Sequence, residues 1–101
     1  MARLVWTRQS REDLDAIKEF IARDAPRTAE AFVERLMAKT DRLKRFPFSG
    51  SVVPELNRED IREIFCGNYR IIHRSTEVIV EVLTVHHGAR LLDVDLIPPE
   101  E

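Results

Sequence analysis

A chain of 101 residues with a net charge of −2 has room for one domain, and it lacks the positive surplus of proteins that bind nucleic acid by charge alone. Hydrophobic residues make up 44% of the chain and charged residues 34%, which excludes a disordered segment and predicts a small globular core. The one cysteine, Cys66, cannot form an internal disulfide, and no apolar run has the length of a secretion signal or a membrane span. We therefore expect a cytoplasmic protein with no membrane partner.

The first half of the chain predicts a strand followed by two helices. Residues 3–7 alternate between apolar and polar side chains, as a short strand does. Residues 10–24 then carry apolar side chains at helical spacing, and Ser10 with Asp13 resembles a capping box at the helix start. A proline begins a second helix over about residues 26–45. The short break between the helices predicts an antiparallel helical hairpin.

The second half predicts a loop and then a three-stranded antiparallel meander. Residues 45–60 contain two prolines and one glycine without periodicity, which indicates a loop. Residues 61–66 and 69–74 alternate on either side of Gly-Asn, a dipeptide typical of a two-residue hairpin turn, and residues 78–87 form an apolar third strand. The predicted fold is α+β, with a four-stranded sheet in the order 61–66, 69–74, 78–87, 3–7 and the helical hairpin across one face.

The order of these elements, with the segments FPFSG, VPEL, GNYRIIHR and VLTVHHGAR, resembles the RelE/ParE superfamily. Its members are the toxins of bacterial type II toxin–antitoxin modules. The resemblance covers about residues 3–92, so we expect one toxin domain over residues 1–92 and an acidic tail over residues 93–101. It implies a cognate antitoxin as partner. RelE-like members cut messenger RNA on the ribosome, whereas ParE-like members act on DNA gyrase without cleaving RNA.

A set of polar residues matches the positions of a RelE-like nuclease site. Arg70 matches the arginine that contacts the scissile phosphate in the nucleases, and Glu55 resembles a glutamate that serves as base in some of them. His86 and His87 lie near the cluster at the end of the last strand. If the chain is an enzyme, the resemblance implies an mRNA endoribonuclease that uses these four residues.

Departures from the RelE pattern favour the ParE branch. The segment at 52–60 has no lysine, residues 91–101 have no tyrosine, and a net charge of −2 suits ribosomal RNA poorly. We therefore predict a ParE-like toxin that poisons DNA gyrase, and we favour this function over that of an enzyme while leaving the second open. A ribosome-dependent endonuclease and a non-toxic relative that only binds its antitoxin are the alternatives, and a small binding module outside the family is a further one.

Cations cluster in the second half of the chain, where they predict an anion or partner site. Arg70 and Arg74 share one face of a strand, and Arg62 is expected beside them across the hairpin. An internal Arg–Glu network, with Glu81 as one possible partner, is the structural alternative. The predicted anion or partner site consists of Arg62, Arg70, Arg74, His87 and Arg90.

No metal or cofactor is predicted. His86 and His87 are adjacent on a strand, so their side chains point to opposite faces and cannot share a metal. A glycine-rich phosphate loop is also missing, so we expect no nucleotide cofactor.

Overall fold

A computed structural model describes residues 1–100 as a helical hairpin packed on a five-stranded sheet. No helix in this part of the chain is long and apolar enough to cross a bilayer. The elements in chain order are β1 Arg3–Trp6, α1 Arg8–Ala22, α2 Pro26–Asp41, β2 Ser51–Val52, β3 Ile61–Cys66, β4 Tyr69–Ser75 and β5 Ile79–His87.

The sheet runs in the order β1-β5-β4-β3-β2, which confirms the predicted order of the four longer strands. β3, β4 and β5 form the antiparallel meander, and β1 pairs with β5 in parallel because the helical hairpin carries the chain back across the sheet. The prediction of four strands was one short. Ser51 and Val52 pair with Glu63 and Arg62 as a fifth strand, too short to show alternation in the sequence.

The first helix begins three residues before the predicted position. Thr7 is its N-cap, and the Thr7 hydroxyl accepts a hydrogen bond from the backbone N–H of Ser10 at 3.1 Å. Ser10 and Asp13 are therefore inside the first turns of α1, and the predicted capping box is wrong. Asp13 is left free to reach across to β5.

The sheet is buried on both faces, which explains why β5 is apolar on both sides. On one face Phe32 and Leu36 of α2 pack on Ile71 and Val85. Each fully buried aliphatic or aromatic side chain of this kind contributes about 1.5–3 kcal/mol. The opposite face carries a second buried cluster, formed by Val53, Ile61, Ile72, Leu83 and Leu92.

The C-terminal segment covers that second face. Ile97 packs against the cluster that contains Leu92, after a short 3-10 turn at Val94–Leu96. The Arg58 guanidinium donates from Nη1 to the carbonyl of Pro98 at 2.7 Å. The residues predicted as an acidic tail therefore follow the sheet as far as Pro98.

Candidate functional site

Arg70 is held between two carboxylates on the sheet face opposite the helices. The two-residue turn at Gly67, whose φ is +57°, sets the register that places Phe65 opposite Arg70 and Glu63 one diagonal step away. Arg70 Nε donates to Glu63 Oε1 at 2.6 Å, and its two terminal nitrogens donate to the two oxygens of Glu55 at 2.8 and 3.0 Å. Arg70 and Glu63 are each only 6% exposed.

These contacts favour the charged forms of Glu55 and Arg70. The hydrogen bond from Arg70 lowers the pKa of Glu55 to about 2, and a second bond from the backbone N–H of Leu92 at 3.2 Å acts in the same direction. Hydrogen bonding to Glu55, with a further contribution from Glu63, raises the pKa of Arg70. The guanidinium is thus neutralised by groups of its own chain.

Arg62 and Arg74 do not join Arg70 in one patch. Arg62 lies opposite His73 in the hairpin register, on the helix side of the sheet, so its predicted position beside Arg70 is wrong. Its Nη2 pairs with Glu59 at 3.0 Å, and its Cζ lies 5.9 Å from the ring centroid of Phe48.

Arg74 shares a face with Arg70 but pairs with a different acid. Its Nε lies 3.4 Å from Asp60 Oδ2, and the same oxygen forms an ion pair with Arg58 Nη2 at 2.9 Å. The alternative of an internal Arg–Glu network is confirmed, although Arg70 pairs with Glu55 and Glu63 and not with Glu81, which lies opposite Arg74.

The two histidines border a cavity of about 460 Å³ between α1 and the C-terminal segment. His86 lies opposite Arg70 in register, and burial lowers its pKa, with Arg70 and Arg90 adding to the shift. Its Nε2 is buried without a hydrogen-bond partner among residues 1–100. His87 is exposed, and its ring packs edge-on against Tyr69 at 5.5 Å.

Arg90 lines the same cavity and is exposed. It has no ion-pair partner in the part of the chain that the structure describes, so of the predicted anion-site arginines it alone is unpaired there. The residues of the predicted anion site therefore do not form one patch. Arg70 is buried in its ion pairs, and Arg62 and Arg74 pair with other acids. His87 and Arg90 line the cavity.

Asp13 is a cavity residue that sequence reasoning placed in a helix cap. Its carboxylate accepts from the Thr84 hydroxyl at 2.5 Å and from the Val85 N–H at 3.0 Å, and so ties α1 to β5. A signal was present, because Asp13 precedes Ile17 by four residues and shares the apolar stripe of the helix.

The structure brings Glu55, Arg70 and His86 into one neighbourhood and turns His87 toward the other face. Cleavage of RNA needs a base with a pKa near the working pH and a cation available to the phosphate. A carboxylate with a pKa of about 2 is a weak base at neutral pH, and the three Arg70 hydrogen bonds are already made to carboxylates. We therefore interpret this arrangement as a structural ion-pair network and not as an anion-binding site.

The sequence model of the ParE toxin of the type II toxin–antitoxin system parDE matches residues 4–92. The chain belongs to the ParE toxin family. Toxin RelE2 of Caulobacter vibrioides is 30% identical over 91 residues, which make up 90% of this chain and 100% of that protein. In the chromosomal ParDE toxin–antitoxin system from P. aeruginosa, one chain superimposes with a TM-score of 0.72 at 21% identity, covering 86% of this chain and 96% of that one.

The similarity to the P. aeruginosa structure shows the fold alone. The match to the ParE toxin model and the similarity to RelE2 establish the family. They confirm the predicted RelE/ParE resemblance and make this chain the toxin of a type II toxin–antitoxin system. Membership of that class implies a cognate antitoxin as partner.

Proposed function

We propose that this ParE family toxin inhibits growth by binding DNA gyrase through protein contacts and not by cleaving RNA. The observation that carries the proposal is the state of Arg70, the cation that a nuclease of this superfamily would direct at the phosphate. It is 6% exposed and bonded to two carboxylates. Gyrase is a cytoplasmic target, so the proposal also places the toxin in the cytoplasm.

The energetics of the network support this proposal. An incoming phosphate would have to displace Glu55 from Arg70. The carboxylates of Glu55 and Glu63 would then both lie close to the negatively charged phosphate. A buried charge without a partner of opposite sign costs roughly several kcal/mol, even after the surrounding protein relaxes. A net charge of −2 adds no long-range attraction for ribosomal RNA.

A supercoiling assay tests the proposal. Purified toxin is added to gyrase, ATP and relaxed plasmid, and the products are separated after treatment with detergent and protease. We expect loss of supercoiling together with linear plasmid from trapped cleavage complexes. A Leu36→Asp variant, which puts a charge in the core, is the matched inactive control. Unchanged supercoiling and no linear plasmid at a large excess of toxin would overturn the proposal.

A ribosome-dependent endonuclease is the second candidate, because Arg70 and His86 face each other across β4 and β5 beside a cavity. Primer extension on mRNA from an in vitro translation reaction separates the two. The gyrase proposal predicts no toxin-dependent cuts. Cuts that disappear in Arg70→Lys, a variant that keeps the positive charge, would favour the nuclease.

A growth assay separates both toxic activities from a non-toxic antitoxin-binding relative. Expression of the chain without its antitoxin should arrest growth and disturb chromosome segregation. Normal growth with full-length, folded protein in the cell would support the non-toxic alternative.

A further inference from the structure

A second and larger cavity lies where α2 ends, beside β3, and Arg70 does not line it. It has a volume of about 890 Å³. Exposed aromatic residues that share one surface mark an interaction site more often than scattered ones do. The cations and aromatic residues that line this cavity are all exposed, and they are Lys39, Arg42, Arg45, Phe46, Phe48 and Phe65.

The segment that borders the cavity is the positive end of the chain. Residues 39–48 contain four cations and one acid, a net charge of +3. Because the whole chain carries −2, the remaining residues together carry −5. The one acid of the segment, Asp41, pairs with Lys44 at 2.7 Å. Charge is thus segregated on the molecule, and the cavity is the place where an anionic partner is attracted.

Three cations form a row along the cavity. Lys39, Arg42 and Arg45 recur at every third residue, and none of them forms an ion pair in the described part of the chain. α2 ends at Asp41, and a 3-10 turn over Arg42–Lys44 continues it. At about 1.5 and 2.0 Å per residue, the row is roughly 10 Å long. Phosphates of one stacked nucleic-acid strand follow every ~3.4 Å of axis, so the row meets about three of them.

Two aromatic rings lie next to this row. Phe46 and Phe48 flank Pro47 just after the 3-10 turn, and they are 55% and 43% exposed. Proline restricts both its own backbone and that of the residue before it, which limits the motion of this segment. Exposed rings held beside cations can stack on the flat faces of nucleic-acid bases, whatever the base.

The cavity is open to a long ligand. β2 pairs with β3 only at Glu63 and Arg62, so Ile64 and Phe65 have no strand on their outer side within residues 1–100. The one acid that lines the cavity, Glu63, is bonded to Arg70 and is 6% exposed. An incoming phosphate therefore meets exposed cations and a carboxylate that is already neutralised.

We propose that this cavity binds single-stranded DNA, with phosphates at Lys39, Arg42 and Arg45 and unpaired bases stacked on Phe46 and Phe48. Cations that follow the backbone and rings that accept any base are the two features of sequence-independent binding of single strands. The choice of DNA over RNA rests on the proposed action on gyrase, whose trapped cleavage complexes contain broken DNA strands. The toxin then holds a DNA strand while its protein contacts hold the enzyme.

An unpaired strand matches the cavity better than two other anionic ligands. Duplex DNA offers the same phosphates, but its bases are paired and leave the rings without a role. An acidic polypeptide offers carboxylates to the cations but does not combine each charge with a flat aromatic face. Each nucleotide of a single strand supplies one phosphate and one base, which fits a row of cations beside a pair of rings.

Fluorescence anisotropy of labelled oligothymidine measures this binding without gyrase. The logarithm of the affinity should fall against the logarithm of the salt concentration with a slope of roughly −2, since each of three phosphates contributes about −0.7. An absence of binding at low salt would overturn the proposal.

Charge reversal tests the row of cations. Arg42→Glu with Arg45→Glu reverses two charges at the cavity, and Arg23→Glu with Arg27→Glu makes the same change at the other end of the helical hairpin. The first variant should bind oligothymidine at least ~10-fold more weakly than the second. Thermal unfolding by circular dichroism verifies that both variants fold. Equal affinities of the two folded variants would contradict the proposal.

Ring removal tests the stacking. Phe46→Leu with Phe48→Leu keeps apolar side chains and should weaken binding several-fold without changing the salt slope, because no phosphate contact is lost. Unchanged affinity, or tighter binding of a duplex, would overturn the stacked arrangement. Tighter binding of oligouridine would assign the cavity to RNA. Binding of the antitoxin and of no nucleic acid, with the antitoxin lost in the charge-reversed variant, would assign it to a protein.

The gyrase assay provides the last arm. The variant with reversed charges at Arg42 and Arg45 should yield less linear plasmid than the variant changed at Arg23 and Arg27. Equal yields from variants that differ in oligothymidine binding would overturn the DNA contact on gyrase. The anisotropy readout contains no gyrase, so failure of this inference is distinguishable from failure of the proposed function.

Discussion

The Arg70 network and the cavity at the end of α2 both border β3 and differ in the charges that surround their cations. This cavity is termed the basic–aromatic groove and is defined by Lys39, Arg42, Arg45, Phe46, Phe48 and Phe65. In the network one guanidinium meets two carboxylates and is almost fully buried. In the groove three exposed cations have no acid partner among residues 1–100. The difference teaches that Arg70, the arginine on which the nuclease prediction depends, is structural. Exposed cations without an ion pair are found instead at the end of α2 and, with Arg90, at the smaller cavity.

The largest effect is expected from Arg70→Met, which removes the cation and keeps the volume. Glu63 would stay buried beside Glu55 without compensation, which should lower the free energy of unfolding by ~3–5 kcal/mol. Urea denaturation at neutral pH measures this. Arg62→Met is the control, because the side chain of its partner Glu59 is 92% exposed and such a pair contributes about 0–1 kcal/mol. Similar losses in both variants would mean that Arg70 is not the structural cation described here.

The next effect concerns the backbone that shapes the groove. A Cβ at Gly50 would lie 2.4 Å from the carbonyl oxygen of Glu63 at a φ of +91°, so Gly50→Ala should destabilise the fold by ~1–3 kcal/mol. Gly67→Ala has open space around the added methyl group and should be limited to a left-handed backbone cost of roughly 1–2 kcal/mol. Urea denaturation also ranks these two variants. A smaller loss at Gly50 than at Gly67 would place the 46–50 loop farther from β3.

The third expected effect is a change in stability that is confined to acidic pH. The folded-state pKa of Glu55 is about 2 and its ordinary value 4.5, so the folded state binds this proton less readily than the unfolded state. Its contribution to stability is therefore complete above pH 4.5 and is lost as the pH falls toward 2. Glu55→Gln should flatten the stability profile in that window, measured by thermal unfolding at a series of pH values. Glu59→Gln serves as the control, and an identical acid profile in Glu55→Gln and the wild type would refute the assignment.

The smallest effect on stability is expected in the groove. Arg42→Ala and Arg45→Ala remove exposed cations without ion pairs, and each should change the free energy of unfolding by less than about 0.5 kcal/mol. Urea denaturation of the free toxin measures this. A loss comparable to that of Arg70→Met would place these side chains in the structural framework and remove the contrast between the two regions.

The sequence predicted most of the fold because its strongest signals are local. Alternation on both sides of Gly-Asn defines β3 and β4 within one residue, and the apolar stripes define both helices. β2 was missed because two residues carry no period. The start of α1 was misplaced because Ser10 and Thr7 are both capable N-caps, and contacts with β5 decide between them.

The candidate site was less predictable because it depends on register and on long-range contacts. The turn fixes Phe65 opposite Arg70, and the same register already places Glu63 near Arg70 and Arg62 on the other face. Glu55 reaches Arg70 from the irregular segment between β2 and β3, fifteen residues away, and no local pattern reports that approach. The open edge at Phe65 likewise follows from where β2 ends.

The state of the Arg70 guanidinium can be observed directly by NMR of its Nε–H group in the labelled toxin. Arg70 Nε lies 2.6 Å from Glu63 Oε1 and the side chain is buried, so the Nε proton should give a sharp, slowly exchanging signal that does not shift when oligouridine is added. A signal that is broadened by solvent exchange in the free toxin, or that shifts in proportion to added RNA, would contradict a sealed structural arginine and restore the nuclease site.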